Sequence, residues 1–591
     1  MGAIAVFLSA APAPGEDVIG PMMAVVPHRG ERRQTLVHGR CVLACIGSDD
    51  MPETALGEID GIAVAFAGGL DNAEDLALEL DRRNARPSVP GLPALLAAGF
   101  REFGVDLPER LRGVFAGAIS DGQRVHCFRD HIGHRPLFYR TDGRGFFAAS
   151  EAKQVVAGAG IAREPDLEVV ERIVFRNYDD QTPAALRGVR RLPKSTVISA
   201  DGEGVRLHRY WRPEQLLETA RLSDDDTRTR FEELMGQAAR RSLTGRDVVS
   251  LSGGIDSPAL AAFAAPLHRE RFGRPLHALT VIYPNHPSVD ERRYVEPLAA
   301  FLGMPLHLYE QETNALADLA RWVALTDSPY PAASLAHYAE DYGRARELGF
   351  RRILTGEHAE YVMAMQLFVL DHYLTHGRWG AARRELSARR ARGWSWFSLF
   401  RLVLRSVAPD AVMNARRAFG SYRASTVPTW VDRRRVARDK SGSVRERWRG
   451  VQLTGFIGPG ISLEAEEVCQ AVTGVEARRP WTDVDLWEFF LSLPAEQKFP
   501  DLRQKGLVRN LLRGRVPDEI LDRQDKTVFD AAGLARVDYA TLRRYLVSPR
   551  HRLPGVDYEL LARRLDSERL SVVELGWARN LATAHAFLAQ W

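Results

Sequence analysis

The feature that most constrains this 591-residue chain is a glycine-rich turn between an apolar segment and a helix. The predicted strand 247–251 leads into Ser252-Gly253-Gly254-Ile255-Asp256-Ser257, and Pro258, which suits a first helical turn, follows. Two glycines let the backbone form a nest of N–H groups, while two serine hydroxyls and a helix N-terminus add further donors. The turn therefore predicts a loop that binds a nucleotide pyrophosphate. Asp256 predicts a magnesium ligand, since a carboxylate tolerates a phosphate best across a divalent cation.

The segments around this turn alternate between helices and apolar strands. They are a helix at 229–243, the strand 247–251, a strand at 276–283, a helix at 292–302 and a strand at 305–309. Such alternation is typical of βαβ units, and it predicts a parallel sheet in a domain over residues 224–591. An ordinary strand-to-helix turn remains the alternative interpretation of the loop.

The first 213 residues have a different pattern. Short apolar runs such as 61–66, 114–119 and 146–149 are separated by Gly, Asp and Pro, and the turn Asp201-Gly202-Glu203-Gly204 is typical of a hairpin. We predict an α+β sandwich of mainly antiparallel strands over residues 1–213. The chain as a whole is therefore expected to be α/β.

Composition excludes several classes of protein. A net charge of +4 and 26% charged residues give no reason to expect a nucleic-acid partner for the whole chain. Four scattered cysteines cannot complete a disulfide framework or a zinc site. The apolar N-terminal run lacks a basic flank and no apolar stretch reaches membrane length, so we expect a cytoplasmic protein with no membrane contact.

Further motifs occur along the whole chain in a fixed order. They are His28-Arg29-Gly30, residues 111–116, residues 129–137 and residues 149–153 in the first half, and residues 474–480 and Arg523-Gln524-Asp525-Lys526 in the second. With the loop at 252–257, they resemble the asparagine-synthetase-like branch of the N-type ATP pyrophosphatases. That family cleaves ATP to AMP and pyrophosphate while it adenylates a carboxylate. The resemblance implies an Ntn-type glutaminase-like domain first, a PP-loop synthetase domain second, and ATP and Mg²⁺ as cofactors.

The resemblance assigns the nucleotide site. Leu251 and Val281 are expected to border adenine, with Thr355-Gly356 nearby, beside the loop residues Ser252, Gly253, Gly254, Asp256 and Ser257. Lys526 stands where the family places a lysine on the phosphates and on the developing negative charge. Lys505 and Arg509 recur at helical spacing, and we interpret them as a solvated or phosphate-facing helix surface.

The segment Thr355-Gly356-Glu357-His358-Ala359-Glu360 aligns with a family loop that reads Ser-Gly-Glu-Gly-Ser-Asp. Glu357 keeps the first acid and is assigned a catalytic role, and Glu360 stands where a magnesium-binding aspartate is expected. The extra methylene of Glu360 alters the metal geometry. His358 replaces a glycine, and both a metal or general-base role and an uninvolved side chain stay open.

The first domain has lost its expected chemistry. The family uses a cysteine at position 2, activated by its own α-amine, and this chain has Gly2. The family's Asn-Gly oxyanion pair aligns with Ala67-Gly68, and one such donor contributes about 3 kcal/mol to the transition state. Cys41 lacks the α-amine and is no substitute. We predict that this domain does not hydrolyse glutamine, and that its role is structural or in binding a larger substrate.

Two kinds of relative combine an adenylating site with a dead glutaminase domain. One is β-lactam synthetase, and the other is the lasso-peptide macrolactam cyclase, in which the peptide's own N-terminal amine attacks an adenylated Asp or Glu. The long insertion over residues 361–450 favours the second. Residues 378–449 carry 19 Lys and Arg against 5 Asp and Glu, and the insertion's large aromatics are Trp379, Trp394, Trp396, Phe397, Trp430 and Trp448. A precursor core peptide is the implied partner, with a leader peptidase and a leader-binding protein.

Other interpretations remain open. The basic block also fits a solvated helical face with its aromatics in the core. A PP-loop enzyme acting on transfer RNA would explain the block, but the paired cysteines of thiolation chemistry are missing. An asparagine synthetase-like amide ligase and a non-catalytic scaffold are the remaining alternatives, and Gly2 argues against a glutamine-dependent enzyme.

Overall fold

A computed structural model describes residues 1–12, 15–49, 54–178, 180–329, 334–363, 368–407, 426–436, 443–453, 460–500, 504–523 and 530–591. An antiparallel N-terminal region is followed by a region built on one parallel sheet. This arrangement confirms the predicted mixed α/β class and the parallel sheet after residue 224.

Two six-stranded antiparallel sheets stack in the N-terminal region. Their strand orders are β10-β8-β9-β1-β3-β2 and β12-β11-β7-β6-β5-β4. The strands are β1 (Ala3–Ser9), β2 (Arg32–His38), β3 (Cys41–Gly47), β4 (Thr54–Ile59), β5 (Ile62–Leu70), β6 (Gly113–Ser120), β7 (Val125–Arg129), β8 (Phe138–Asp142), β9 (Gly145–Ala149), β10 (Arg190–Arg191), β11 (Thr196–Ala200) and β12 (Val205–Arg209). The predicted hairpin is confirmed, because β11 and β12 pair antiparallel across residues 201–204.

Strand β5 shows how these layers pack. Ala63, Ala65 and Ala67 lie in the core between the two sheets, whereas Val64 and Phe66 pack on the outer side. Successive strand residues point to opposite faces, so β5 contributes small side chains to the space between the sheets and large ones to the outer face. The helices of this region are α1 (Ile19–Ala24), α2 (Ala73–Arg82), α3 (Leu92–Phe103), α4 (Leu107–Arg110), α5 (Ala152–Ala159) and α6 (Leu167–Val174).

The C-terminal region is built on a five-stranded parallel sheet of order β15-β14-β13-β16-β17. Its strands are β13 (Asp247–Ser250), β14 (His277–Ile282), β15 (Leu306–Glu310), β16 (Arg352–Leu354) and β17 (Glu476–Arg478). The helices are α7 (Asp224–Ser242), α8 (Asp256–Phe272), α9 (Arg292–Leu302), α10 (Leu319–Thr326), α11 (Leu335–Glu347), α12 (Ala359–Met363), α13 (Val369–Thr375), α14 (Trp379–Ala391), α15 (Trp396–Val407), α16 (Arg447–Gln452), α17 (Gly460–Thr473), α18 (Val484–Ser492), α19 (Ala495–Lys498), α20 (Gly506–Leu511), α21 (Asp518–Asp522), α22 (Asp530–Ala535), α23 (Tyr539–Leu546), α24 (Tyr558–Asp566) and α25 (Val572–Leu588). Short 3-10 turns occupy Glu16–Val18, Pro27–Arg29, Gly104–Asp106, Pro213–Gln215 and Pro480–Thr482.

Two predicted helix starts differ from those in the structure. The helix expected from residue 229 begins at Asp224, because Ser223 caps it by accepting a hydrogen bond from the Asp226 backbone N–H. The second difference is small: the helix predicted near Pro258 is confirmed and begins at Asp256, which places this carboxylate in the first helical turn together with Pro258.

The helical insertion has a small core of its own. Val369, Leu370, Tyr373, Trp448 and Phe499 are buried together where α13 packs against α14, α15 and α16. The predicted aromatic residues divide into two groups. Trp430 and Trp448 are buried, whereas Trp379, Trp394, Trp396 and Phe397 are exposed. In the described part of the chain, no helix is both long enough and apolar enough to span a bilayer.

Candidate active site

The loops that follow the parallel strands define the site. Carboxyl ends of neighbouring parallel strands meet at one edge of a sheet, which is where ligands of open α/β sheets bind. Here that edge carries the loop after β13, the segment 355–360 after β16, and Arg479 immediately after β17. The predicted loop and the predicted Glu357 segment therefore share one edge.

The two serines close the phosphate-binding loop. The Ser257 hydroxyl accepts a hydrogen bond from the Ser252 backbone N–H at 2.9 Å, and the two hydroxyl oxygens also lie 2.9 Å apart. The Gly253 N–H donates to Glu291 Oε2 at 3.0 Å, and Gly254 is exposed. The loop thus presents an open glycine backbone just before the α8 N-terminus, where an anion is favoured.

Two cationic side chains lie on this loop. Lys505 Nζ is 2.6 Å from both carboxylate oxygens of Asp256. Arg523 Nη1 donates to the Gly253 carbonyl at 2.6 Å and lies 3.1 Å from Glu291 Oε1. Lys505 also has a left-handed backbone (φ 56°), a strained conformation of the kind that concentrates at functional sites.

Lys505 and Arg509, which we interpreted as one helix surface, have different partners. Lys505 precedes α20 and pairs with the loop, while the Arg509 guanidinium donates to the Leu521 carbonyl. The solvated-surface interpretation was wrong for Lys505, because the pairing partner lies 249 residues away and leaves no local pattern.

The donor chemistry of the predicted metal ligands suits magnesium. Burial raises the pKa of Glu360, and the neighbouring Asp256 carboxylate raises it further while Lys505 opposes the shift. Two coupled carboxylates provide the hard oxygen donors that Mg²⁺ prefers, and such sites are completed by substrate phosphates. Among the described residues, no group of three or more His, Cys, Asp or Glu forms a potential metal cage. Magnesium at Asp256 and Glu360 stays a prediction.

The segment after β16 lies directly on the phosphate loop. A Cβ on Gly356 would come within 2.5 Å of the Ser257 nitrogen and 2.9 Å of the Asp256 carbonyl carbon, so only glycine fits. The Thr355 N–H donates to the Arg478 carbonyl at 3.0 Å, which ties the segment to β17. The predicted adenine-bordering residues differ in exposure: Leu251 is buried in the core and Val281 is half-buried.

Both carboxylate oxygens of Glu357 have partners. The Tyr338 hydroxyl donates to Oε1 at 3.1 Å, and Arg479 Nε donates to Oε2 at 2.9 Å. Arg479 also pairs with the buried Glu466, which accepts a hydrogen bond from the Tyr342 hydroxyl. Burial lowers the pKa of Arg479, but the Glu466 and Glu357 carboxylates raise it by more, so this pKa lies well above its ordinary value. The charge of Glu357 also raises the pKa of Tyr338. Arg479 is thus a fixed cation beside Glu357.

His358 has a left-handed backbone (φ 69°), which the glycine of the family loop would adopt without strain. Burial lowers the pKa of His358 well below its ordinary value, and Arg479 and His134 lower it further. The imidazole is therefore neutral at physiological pH. Lys526, the remaining predicted catalytic residue, lies outside the described residues, as do all of residues 524–529.

The N-terminal domain leaves no room for a side chain at position 2. A Cβ on Gly2 would overlap the Thr54 Cγ2 methyl and come within 3.0 Å of the Ile46 carbonyl oxygen. Ala67 is buried in the inter-sheet core. Asp71, four residues further on, pairs with Arg478 of β17. The former oxyanion loop is therefore attached to the synthetase domain.

Sequence reasoning missed several side chains of this site. Arg479 and Arg523 stand inside motifs that were recognised, so the motifs themselves could have identified them. Tyr338, Glu291 and Glu466 carry no local pattern, because each joins the site from a different helix or loop.

Known proteins provide an independent comparison. The profile of the asparagine synthase family matches residues 230–586, and that of the glutamine amidotransferase domain matches residues 1–211. The chain is 25% identical to the glutamine-hydrolyzing asparagine synthetase 3 of Bacillus subtilis (strain 168) over 516 residues, which cover 84% of this chain and 80% of that protein. It is 28% identical to the carboxyethyl-arginine beta-lactam-synthase of Streptomyces clavuligerus over 271 residues, which cover 44% of this chain and 49% of that protein.

Proposed function

The chain belongs to the asparagine synthase family, whose members are ATP-dependent amide-forming ligases, and from this premise we propose that it closes a macrolactam in a lasso precursor peptide. An Asp or Glu side chain of the core peptide would be adenylated at the expense of ATP, with release of pyrophosphate. The peptide's N-terminal amine would then attack the adenylate, forming the isopeptide bond and releasing AMP.

The observation that carries this proposal is the crowded position 2. A cysteine there would collide with Thr54, and Ala67 offers no side-chain donor for an oxyanion. Without glutamine hydrolysis this domain supplies no ammonia, so we infer that the acceptor amine comes with the substrate. An intramolecular amine also gains from effective molarity, which can reach about 10⁵–10⁸ M in well-oriented systems.

The phosphate loop supports the adenylation half of the reaction. The Gly254 backbone is open, Lys505 and Arg523 lie beside it, and α8 begins at Asp256. Asp256 and Glu360 would hold magnesium, which neutralises phosphate charge when bound. When phosphates enter, Lys505 is close enough to transfer its contact from Asp256 to a phosphate oxygen.

Glu357 supports the amide-forming half. Its carboxylate is fixed between Tyr338 and Arg479 and its side chain is 37% exposed, so it can accept a hydrogen bond from an incoming ammonium or amine. Such a contact would orient the nucleophile towards the acyl adenylate.

The insertion supports a peptide as substrate. Residues 378–407 contain eight Arg and one Glu, and the exposed apolar face of α15 carries Trp396, Phe397, Phe400, Leu404 and Val407. Helix α15 packs on α13, which begins nine residues after Glu360. A cationic surface with exposed aromatic side chains suits a peptide with acidic and apolar side chains.

The test needs a short reading frame beside this chain's gene that encodes a core peptide with Asp or Glu at position seven to nine. A synthetic copy of that peptide is incubated with the chain, ATP and Mg²⁺. We expect AMP and pyrophosphate together with loss of one water from the peptide mass. An N-acetylated copy should not cyclise, because its amine is blocked. ADP as the product, or asparagine formed from aspartate and glutamine, would contradict the proposal.

A β-lactam synthetase-like reaction is the second candidate, favoured by the similarity over 271 residues to the Streptomyces clavuligerus synthase. It predicts that a small amino acid derivative supports AMP formation with no peptide present. AMP formation measured with the peptide and, separately, with the small amino acid derivative distinguishes the two candidates.

A further inference from the structure

Helix α17 carries three carboxylates that are almost completely buried. Glu464, Glu466 and Glu467 are 6%, 4% and 2% exposed. Residues three apart share a helix face, so Glu464 and Glu467 point one way, and Glu466 lies about 100° from Glu467 around the axis. The helix therefore has two separate charged faces.

The first face meets the N-terminal domain. Glu467 Oε1 accepts from Arg29 Nη1 at 2.5 Å and from Arg135 Nη1 at 2.7 Å. Glu464 accepts from Arg129 at 3.2 Å and from Arg191 at 2.6 Å. Three of these arginines, Arg29, Arg129 and Arg135, lie in glutaminase-domain motifs for which we expect no catalytic task in this chain. Burial raises the pKa of Glu467, but Arg29 and Arg135 lower it by more, so this pKa lies below its ordinary value. The carboxylate is therefore charged and tightly paired.

The second face meets the synthetase site. Glu466 pairs with Arg479, and Arg479 Nε lies 2.9 Å from Glu357 Oε2. Tyr342 and Tyr338, one helical turn apart on α11, contact Glu466 and Glu357 respectively. Two ion pairs thus connect α17 to the carboxylate that we assign to the amine.

We propose that the glutaminase-like domain is retained as a positioning device for Glu357, acting through α17. Arg29 and Arg135 hold the helix by Glu467, the helix fixes Glu466, and Glu466 holds Arg479 against Glu357. Glu466, Glu467 and the two arginines are positioning residues, since none of them reaches the reacting atoms. A displacement of about 1 Å in such a positioned group can lower a rate by about a hundredfold. This inference rests on the proposed function only in its kinetic test, which needs the peptide substrate; its hydrogen-exchange test does not.

The first experiment needs no substrate. In Glu467→Gln the shape of the side chain is kept and its charge is removed, and amide hydrogen exchange is measured in the full chain. We expect faster exchange in the segments 354–358 and 476–482. The matched control is Arg112→Gln, which breaks another ion pair between the domains (Arg112 Nε to Asp485 Oδ1, 2.7 Å) that does not touch α17. Equal changes in both variants would overturn the inference.

The second experiment is a double-mutant cycle on the rate of ring closure, with the same synthetic peptide as substrate. Glu467→Gln should lower kcat about ten- to a hundredfold and leave the KM for ATP unchanged. In a Glu357→Gln background the same change should have no further effect, because both act on one group. If the two substitutions together lower kcat by the product of their separate effects, Glu467 has only a general structural role and the proposal is overturned. Arg135→Lys, which keeps the charge, should recover part of the activity that Arg135→Gln loses.

If the peptide is not a substrate of the wild-type chain, the proposed function fails. The exchange experiment still decides the positioning role in that case.

Discussion

Lys505 and Asp256 are the tightest charge pair on the phosphate loop, with both carboxylate oxygens 2.6 Å from the ammonium. The helix N-terminus favours the Asp256 carboxylate, but the approach of phosphates to this negative charge requires compensation by a cation. Lys505 supplies that compensation before nucleotide binds, and its charge is then available for the phosphates.

Lys505→Ala is therefore expected to lower ATP turnover about a hundredfold or more, comparable to the loss of one preorganised transition-state donor. AMP release measured by chromatography checks it. Arg513→Gln, an exposed change just after the same helix, should leave the rate within about twofold, since surface changes of this kind have small effects. An unchanged rate in Lys505→Ala would remove Lys505 from the phosphate site.

Lys498 makes stability depend on pH. It is 3% exposed, its Nζ donates to Gln452 Oε1 at 3.0 Å, and burial lowers its pKa to about 7. The unfolded chain keeps the ordinary value near 10.5, so between pH 7 and 10.5 the unfolded state binds more protons. Stability should therefore rise with pH across this window, by at most about 1.4 kcal/mol per pH unit from this group.

Lys498→Met removes the titrating group and should flatten that rise. The difference in free energy of unfolding between wild type and variant, measured in denaturant from pH 7 to 10, isolates the contribution of Lys498. Arg206→Met, at an exposed position on β12, should leave the slope unchanged. A variant with the wild-type slope would show that Lys498 is charged in the folded protein.

At the scale of elements, the contact between the segment after β16 and the start of α8 sets the geometry of the site. Gly356→Ala pushes a methyl group against the backbone of Ser257 and Asp256, which cannot move without opening the phosphate loop. Overpacking of this kind costs about 1–3 kcal/mol, and here it acts directly on the nucleotide site. We expect strongly reduced AMP formation. Gly343→Ala in α11, where a Cβ meets nothing within 4 Å, is the control.

Helix α15 provides a second prediction at this scale. Phe397→Ser combined with Phe400→Ser removes two exposed rings that are 68% and 64% exposed, so the fold should be little affected. If the exposed apolar face of α15 binds the peptide, the KM for the peptide should rise about tenfold or more in this variant, while the KM for ATP is unchanged. Each aromatic side chain that becomes buried contributes more than about 1 kcal/mol to such contacts. Leu207→Ser on β12, also exposed, is the matched control. Equal peptide KM values would contradict the binding role.

At the scale of the whole molecule, the two domains share buried ion pairs and one hydrophobic core, which includes Ala5 and Phe7 of β1 as well as Ala465 and Cys469 of α17. The glutaminase-like domain is therefore part of the synthetase structure. Restoring its old chemistry requires more than one residue.

Gly2→Cys is expected to lower stability, because the new side chain overlaps Thr54, and to release no glutamate from glutamine. Adding Ala67→Asn and Thr54→Ala should relieve the overlap but leave the oxyanion loop tied to Arg478 by Asp71. Glutamate release, measured by a coupled assay, is the readout. Measurable hydrolysis by Gly2→Cys alone would contradict the structural account of the lost activity.

Much of the fold could be predicted from sequence because its determinants are local. The turn at 252–257 follows from glycines between a strand and a helix, and the hairpin at 201–204 from its turn residues. The exposure of the insertion's aromatic residues was harder to predict, because Trp448 stands between two arginines in sequence and is buried, whereas Trp396 precedes Phe397 and is exposed. Which aromatic residues are covered depends on the packing of α13 against its neighbours.

By itself, the sequence determined the glycine-rich turn at 252–257 between a strand and a helix, the order of the two folds and the absence of a cysteine at position 2, since each depends on residues adjacent in the chain. Only the tertiary structure decided the charge pairs that complete the site. Lys505 lies 249 residues from Asp256, Arg479 lies 122 from Glu357, and Arg135 lies 332 from Glu467. A pair of opposite charges has no period and no fixed spacing, so its members are identified only when folding brings them within contact of each other.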